Sequence, residues 1–230
     1  EWIKKPLAAQ QKTFHYLIKK AKATDFGLDH DFDKIKNYTD FQSLVPIRDY
    51  EGHRPYVDKM LEGKPSVLWP GKPLYFAKTS GTTSGAKYIP LTKESMPTHI
   101  VAARDALLNY IHETGNTGFI EGKQIFLQGS PILNKKDENT IGRLSGIVAH
   151  YLPKYLQKSR MPSWDTNCIK DWDTKVDAIV KETLPENMTL IAGIPSWVQM
   201  YFEKLIQQKG KAVGEIFPEF SLFVYGGVNY

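Results

Sequence analysis

Cysteine is almost absent from this sequence, with Cys168 as the only example among 230 residues. One thiol cannot form an internal disulfide or a cysteine-based zinc site. The six histidines form no His-x3-His pair, and no Gly-x-Ser-x-Gly nucleophile motif occurs. We therefore predict no metal site built from the protein's own side chains. The composition fits a reducing compartment, and we expect a cytoplasmic location.

Long apolar runs and arginine are also scarce. No apolar run approaches the ~20 residues that a membrane-spanning helix needs, so we expect no membrane partner. Arginine contributes only 5 of the 30 basic residues, and the lysines are spread along the chain. Nucleic-acid-binding proteins usually concentrate positive charge and use arginine. We interpret the net charge of +5 as a solvated lysine-rich surface and expect no nucleic-acid partner.

The sequence does contain the composition of a packed domain and an alternation of helix and strand patterns. Apolar residues make up 41% and charged residues 24%, which supports a hydrophobic core. Helical patterns dominate residues 1–70, and strands then alternate with helices over 71–230, which favours an α/β fold with mixed sheets flanked by helices. We predict helices near 2–22, 48–63, 92–113, 172–180 and 196–207, strands near 74–77, 87–91, 123–128, 188–192 and 221–225, and a polar loop at 134–140.

The segment between the first two predicted strands is rich in small and hydroxyl-bearing residues. Glycines let a backbone turn sharply, backbone N–H groups form an anion site, and hydroxyls with an ammonium supply further donors. The segment has all three, in Thr79, Ser80, Gly81, Thr82, Thr83, Ser84, Gly85 and Lys87. It is not a Walker loop, because Ala86 separates Gly85 from Lys87 and no helix start follows. We predict a phosphate-binding hairpin. The alternative is an ordinary turn.

Residues 79–92 resemble the first nucleotide-binding motif of adenylate-forming enzymes, and they end in Lys-Tyr-Ile-Pro-Leu-Thr. The Ile-Pro-Leu-Thr ending is similar to that of the auxin-responsive acyl acid amido synthetases (the Gretchen Hagen family) and their bacterial relatives. Two later segments, Ala192–Trp197 and Tyr225–Gly227, resemble further landmarks of that family and occur in the same order. The resemblance therefore extends over most of the chain. Pro90 within the motif indicates an edge strand or a strand end.

The resemblance implies a two-step reaction that uses ATP and Mg²⁺ to join a small-molecule carboxylic acid to an amine, often an amino acid. The carboxylate attacks the α-phosphate of ATP, which gives an acyl-adenylate and pyrophosphate, and the amine then takes the acyl group. Phosphate charge must be stabilised in the first transition state. Donors suited to that role are Ser80, Thr82, Thr83 and Lys87.

The resemblance also implies roles for residues outside the hairpin. Arg104, on the helix that follows, would clamp the substrate carboxylate, which makes Lys87 and Arg104 the predicted catalytic residues. Gly193 and Trp197 are candidates for the acyl pocket, and Gly226 and Gly227 for the vicinity of the nucleotide. Each has a plainer interpretation, namely a surface arginine, packing at a helix start, and a turn.

The resembled family also carries later nucleotide motifs and a mobile C-terminal domain, and neither occurs in these 230 residues. We therefore interpret residues 1–230 as an incomplete N-terminal adenylation domain, with a helical lead-in at 1–70 and an α/β nucleotide- and acyl-binding part at 71–230. We expect this fragment alone to be inactive. Two alternatives stay open: an acyl-coenzyme A ligase, which shares the first step, and a non-catalytic small-molecule-binding module.

Overall fold

The chain divides into two units in a computed structural model that describes residues 3–79, 85–152 and 154–226. The first unit comprises Glu1–Ser95 and Asn134–Ile141, and the second comprises Met96–Leu133 and Gly142–Tyr230. The polypeptide therefore leaves the first unit after Ser95 and returns to it for one short segment.

Three of the four helices at the start of the first unit begin at a side-chain cap. The side chains of Thr24, Asn37 and Asp49 each accept a hydrogen bond from the backbone N–H three residues later, which satisfies a donor that the helix leaves free. The helices are α1 (Pro6–Ala21), α2 (Asp25–Asp29), α3 (Tyr38–Leu44) and α4 (Tyr50–Leu61). The predicted helices at 2–22 and 48–63 are confirmed, with slightly shorter ends.

The sheet of the first unit contains two antiparallel pairs. Its strands are β1 (Tyr75–Lys78), β2 (Tyr88–Leu91), β4 (Asn134–Lys136) and β5 (Asn139–Gly142), in the spatial order β2-β1-β5-β4. Phe76 of β1 and Ile141 of β5 are buried against Val57 and Met60 of α4. This small cluster attaches the sheet to the helix that precedes it.

The predicted polar loop at 134–140 is wrong, because these residues form β4 and the start of β5. All three residues of β4 are exposed, so the strand carries no alternation of apolar and polar side chains by which it could be recognised. Asp137 makes the turn with φ 54°. The Asn139 side-chain amide donates to the Leu61 carbonyl at 2.6 Å, which ties the hairpin to the end of α4.

The second unit is built around a parallel sheet with the spatial order β6-β3-β7-β8. Its strands are β3 (Lys123–Leu127), β6 (Arg160–Met161), β7 (Met188–Gly193) and β8 (Leu222–Val224). The helices are α5 (Met96–Thr114), α6 (Leu144–Ala149), α7 (Lys154–Gln157), α8 (Trp164–Cys168), α9 (Trp172–Thr183), α10 (Pro195–Lys209) and α11 (Val213–Ile216), with a 3₁₀ turn at Gly118–Ile120.

One face of this parallel sheet carries the main core of the second unit. Ile125 and Leu127 of β3 and Ile191 of β7 are buried against α9 and α10. The apolar stripe of α9 packs with Val198, Tyr201 and Leu205 of α10. The predicted α/β fold with sheets flanked by helices is confirmed. Within the part of the chain that the structure describes, no helix has both the length and the hydrophobicity needed to cross a membrane.

Candidate functional site

The predicted phosphate-binding segment, residues 79–87, connects strands β1 and β2 in the sequence. The two strands pair antiparallel up to Lys78 and Tyr88, and the Thr79 N–H donates to the Lys87 carbonyl at 3.0 Å, which closes the neck of the hairpin. Ser80, Gly81, Thr82, Thr83 and Ser84 lie outside the described residues. Their assignment as phosphate ligands therefore stays a prediction.

Gly85 and Lys87 follow on the exit side of that segment. Gly85 has φ +82°, a conformation that glycine adopts without the strain a side chain would impose, and no described residue lies within 4 Å of the position that a Cβ would take. Lys87 is half-buried, and its ammonium lies 5.3 Å from the centre of the Tyr50 ring. The sequence analysis did not single out Tyr50.

Strand β2 forms one edge of its sheet, which confirms the interpretation of Pro90. After β2, Thr92 and Ser95 exchange hydrogen bonds, because each side-chain oxygen accepts from the other residue's backbone N–H, at 3.0 and 3.1 Å. This reciprocal arrangement precedes α5, which begins at Met96 rather than directly after Thr92. The predicted helix is therefore confirmed with a start four residues later.

Arg104 lies on α5 with an exposed side chain. Its Nε and Nη2 atoms donate to Asp105 Oδ1 at 3.0 and 2.8 Å. Exposed pairs of this kind are worth little in stability because water competes for both groups. The guanidinium can therefore exchange Asp105 for another carboxylate at small cost, and its role as a substrate clamp stays a prediction.

Three of the predicted site residues lie near the carboxyl edge of the parallel sheet: Gly193, Trp197 and Gly226. Gly193 ends β7, Gly226 lies two residues beyond the end of β8, and Trp197 lies in the first turn of α10. Because β7 and β8 are parallel, both glycines lie at the edge where open α/β sheets bind ligands. Gly227 lies outside the described residues.

Packing explains part of the sequence at this edge. A Cβ on Gly193 would lie 2.9 Å from the Leu127 Cβ and 3.3 Å from a Val198 methyl, so glycine is needed for the contact of β7 with β3 and α10. The ring of Trp197 packs on Trp172 of α9 with centroids 4.3 Å apart. Pro195 occupies the start of α10, as predicted. The acyl-pocket roles of Gly193 and Trp197 stay predictions.

Lys175 is a buried cation at the same edge that the sequence analysis missed. Only 2% of the residue is exposed, and its ammonium donates to the carbonyls of Gln128, just after β3, and Asn167, in α8, at 2.9 and 2.7 Å. Burial lowers the pKa of Lys175 from its ordinary 10.5 to about 8. A signal was available, because Lys175 falls on the apolar stripe of α9 together with Trp172 and Ile179.

A second cation, which is only partly buried, lies on the edge strand β6. The Arg160 guanidinium lies 4.8 Å from the centre of the Phe126 ring on β3, and burial lowers the pKa of Arg160 to about 10. Its Nε is buried without a hydrogen-bond partner among the described residues. Arginine still carries its charge at neutral pH, and the Phe126 ring lies within the distance at which an aromatic face attracts a cation.

The described residues contain no group of three or more His, Cys, Asp or Glu side chains that could hold a metal ion. A Mg²⁺ ion bound with ATP would therefore need oxygens of the nucleotide or water among its ligands, and its involvement stays a prediction.

Solved structures share the fold of this chain. A solved structure described as "GH3.15 acyl acid amido synthetase" superposes with a TM-score of 0.66 at 15% identity, over 86% of this chain and 35% of that one. A second, "AtGH3.15 acyl acid amido synthetase in complex with 2,4-DB", gives a TM-score of 0.63 at 16% identity, over 90% of this chain and 38% of that one. The chain therefore has the fold of part of an acyl acid amido synthetase.

Sequence comparison then gives the family. Residues 1–230 match the model of the GH3 family N-terminal domain, and the chain belongs to that family. The predicted resemblance to the auxin-responsive acyl acid amido synthetases is confirmed.

Curated relatives match over about half of this chain. Indole-3-acetic acid-amido synthetase GH3.15 of Arabidopsis thaliana is 29% identical over 129 residues, which are 55% of this chain and 21% of the relative. Probable indole-3-acetic acid-amido synthetase GH3.13 of Oryza sativa subsp. japonica is 38% identical over 125 residues, which are 52% of this chain and 24% of the relative. The matched part thus spans about a fifth to a quarter of these relatives.

Proposed function

We propose that the complete polypeptide carrying this chain activates a carboxylic acid with ATP and transfers the acyl group to an amine. The observation that carries this proposal is the match of all 230 residues to the GH3 family N-terminal domain. The names of the two curated relatives, both indole-3-acetic acid-amido synthetases, support amide formation rather than thioester formation. We further propose that residues 71–230 contribute the binding surfaces for nucleotide and acid.

In the proposed first step, a carboxylate oxygen of the acid attacks the α-phosphorus of ATP. The bond between that phosphorus and the bridging oxygen of pyrophosphate breaks, and pyrophosphate leaves. Negative charge accumulates on the phosphate oxygens, so nearby cations and N–H donors lower the barrier. Lys87 is the charged donor of the hairpin, and the closed neck between Thr79 and Lys87 supports its attachment point. Mg²⁺ would offset part of the triphosphate charge.

In the proposed second step, the amine nitrogen attacks the acyl carbon of the adenylate. The bond between that carbon and the phosphate oxygen breaks, AMP leaves, and the nitrogen loses a proton. AMP is a far better leaving group than the oxygen of a free carboxylate, which explains why the acid must be activated. Arg104 is proposed to hold the acid during the first step, with Gly193, Trp197 and Gly226 close to the acyl group or nucleotide.

The test is acid-dependent exchange of labelled pyrophosphate into ATP by the complete polypeptide, followed by mass spectrometry of products formed with amino acids or coenzyme A. Indole-3-acetic acid is the first acid to use, since it occurs in the names of both relatives. We expect exchange and an amide product, and no exchange by the 230-residue chain alone. Formation of a thioester and no amide would contradict the proposal and indicate an acyl-coenzyme A ligase. Absence of exchange with every acid would contradict the proposed activity and favour a non-catalytic small-molecule-binding module.

The hairpin assignment has its own test in Lys87→Met. Removal of a charged donor to the phosphates should lower kcat/KM for ATP about a hundredfold. Lys93→Met is the matched control, because Lys93 is exposed and lies just beyond β2. Equal kinetics of the two variants would contradict the role of Lys87.

A further inference from the structure

Tyr50 lies outside every segment that the sequence analysis connected with the nucleotide. It is the first residue of α4, and the Asp49 side chain caps this helix by accepting the Gly52 N–H at 2.9 Å. The cap fixes the first turn of the helix and therefore the direction in which the Tyr50 side chain leaves it. From there the phenol extends to strand β2, 38 residues later in the chain.

The Tyr50 hydroxyl holds the first residue of β2. The hydrogen bond from Thr79 N–H to the Lys87 carbonyl makes these two residues a hydrogen-bonded pair, so the N–H of the next residue, Tyr88, points away from β1. Since β2 is the edge strand of its sheet, no other described strand lies beside it to accept from this N–H. The Tyr50 hydroxyl accepts it at 2.8 Å and lies 3.5 Å from the Tyr88 carbonyl, to which it can donate.

The ring of the same tyrosine holds the cation of the hairpin. The Lys87 ammonium lies 5.3 Å from the ring centre, within the range at which an aromatic face attracts a cation. The Arg54 guanidinium lies 5.8 Å from the same ring and is paired with Glu51 at 3.2 Å. The ring therefore restricts the positions that the long Lys87 side chain can take, while the hydroxyl restricts the backbone that carries it.

We propose that Tyr50 is a positioning residue for triphosphate binding, which acts on the nucleotide only through Lys87 and the start of β2. This inference rests on the proposed function, since it assigns Tyr50 to the phosphate site of that reaction. A lysine whose position is already restricted loses less conformational freedom when it binds an anion, and so binds it more tightly. Tyr50 contributes by its ring and by its hydroxyl, and the two contributions are separable by substitution.

The experiment measures steady-state kinetics of the complete polypeptide with Tyr50→Phe and Tyr50→Leu. Tyr50→Phe keeps the ring and removes the hydroxyl, and should raise KM for ATP about threefold. Tyr50→Leu removes both and should raise it about tenfold. KM for the acid and kcat should change less than about twofold, since Tyr50 is assigned no contact with the reacting atoms. Direct ATP affinity, measured by calorimetry without acid, should fall by the same factors.

A double-substitution series separates positioning from folding. In the Lys87→Met background there is no ammonium for the ring to hold, so Tyr50→Phe and Tyr50→Leu should give the same ATP affinity. Tyr56→Phe is the matched control, because this tyrosine lies on the same helix and donates from its hydroxyl to Asp29 at 2.8 Å. It should lower the melting temperature slightly and leave ATP affinity unchanged. All affinities are measured well below the melting temperature of each variant.

The outcomes separate this inference from the function on which it rests. If Lys87→Met leaves ATP affinity unchanged, the phosphate site is wrong and Tyr50 loses its role with it. If Lys87→Met weakens ATP binding while both Tyr50 variants behave like Tyr56→Phe, the phosphate site stands and the positioning role is overturned. If the threefold difference between the two Tyr50 variants persists in the Lys87→Met background, the ring acts through folding and the role is likewise overturned.

Discussion

Among the described residues, the second unit buries eleven hydrophobic residues in one cluster, whereas the first unit divides its own between a cluster of five and a cluster of four. The larger cluster surrounds a parallel sheet packed against long helices. The smaller ones pack against α4 and against α1, and polar contacts such as that of Asn139 with Leu61 connect neighbouring elements. The hairpin with Lys87 belongs to the first unit, and the strand ends with Gly193 and Gly226 belong to the second.

The two kinds of packing predict that the candidate binding residues differ in how easily they move when a ligand binds. The start of β2 is held by the hydrogen bonds of Tyr50, and the next residue, Ile89, is exposed, so this end of the hairpin can change position at small cost. Strand ends in a large core cannot, since any displacement disturbs close packing. We therefore expect the start of β2 in the first unit to adjust more readily to a ligand than the strand ends of the second unit. Three measurements test that contrast.

The largest effect is expected in the core of the second unit. Ile191→Ala removes a side chain with no exposed surface from the centre of the parallel sheet and should lower the free energy of unfolding by about 4 kcal/mol. Ile89→Ala, on strand β2, is the comparison variant because that side chain is 42% exposed, and it should cost less than about 1 kcal/mol. Urea denaturation measures both. Equal costs would remove the distinction between the units.

An intermediate effect is expected from Lys175, and it depends on pH. The unfolded chain holds the lysine proton up to a pKa near 10.5, whereas the folded chain releases it near pH 8. Between these values the unfolded state binds more protons, so stability should rise as pH increases from 8 to 10, by on the order of 2 kcal/mol. Below pH 8 both states are protonated and this contribution is flat.

Lys175→Met should abolish that rise, and Lys181→Met, which changes an exposed lysine of the same helix, should retain it. Thermal melting at pH 7, 8, 9 and 10 provides the measurement. A rise of the same size in both variants would mean that Lys175 keeps its proton throughout, and that burial does not lower its pKa.

The smallest effect compares one hydroxyl in each unit. Tyr201, with no exposed surface, shares a hydrogen bond of 2.7 Å with Thr183 in the core of the second unit. Tyr201→Phe should cost about 1 kcal/mol, because a buried polar partner is left with one bond fewer. Tyr56→Phe in the first unit should cost about 0.5 kcal/mol, because water can replace the hydroxyl at exposed Asp29. A larger cost at Tyr56 would reverse the expected order of the two units.

Local patterns made much of the fold predictable. The apolar stripe of α9 and the Pro195 start of α10 depend on neighbours within one or two turns, and both occur as expected. Strand β4 could not be found in this way, because its exposed polar side chains carry no period and its pairing comes from the backbone. The sequence thus reports which side chains are buried more readily than which backbones are paired.

The residues of the candidate site also differ in whether local sequence patterns could reveal them. The composition of residues 79–87 predicts a phosphate-binding segment without reference to any other part of the chain. The contact of Tyr50 with Tyr88 joins residues 38 positions apart, and no local pattern connects a tyrosine at a helix start with a later edge strand. Lys175 was within reach, since a lysine on an apolar stripe needs an explanation that surface charge does not give.

The route of the chain through the first sheet determines the order in which that sheet can form during synthesis. Strand β1 has β2 on one side and β5 on the other, and β5 ends at Gly142, after β3 has already been made. Until the ribosome has released residues 134–142, the nascent hairpin presents an unprotected edge that could pair with other chains. The four-stranded sheet that contains the hairpin can therefore be completed only after residues that follow the start of the second unit have been synthesised.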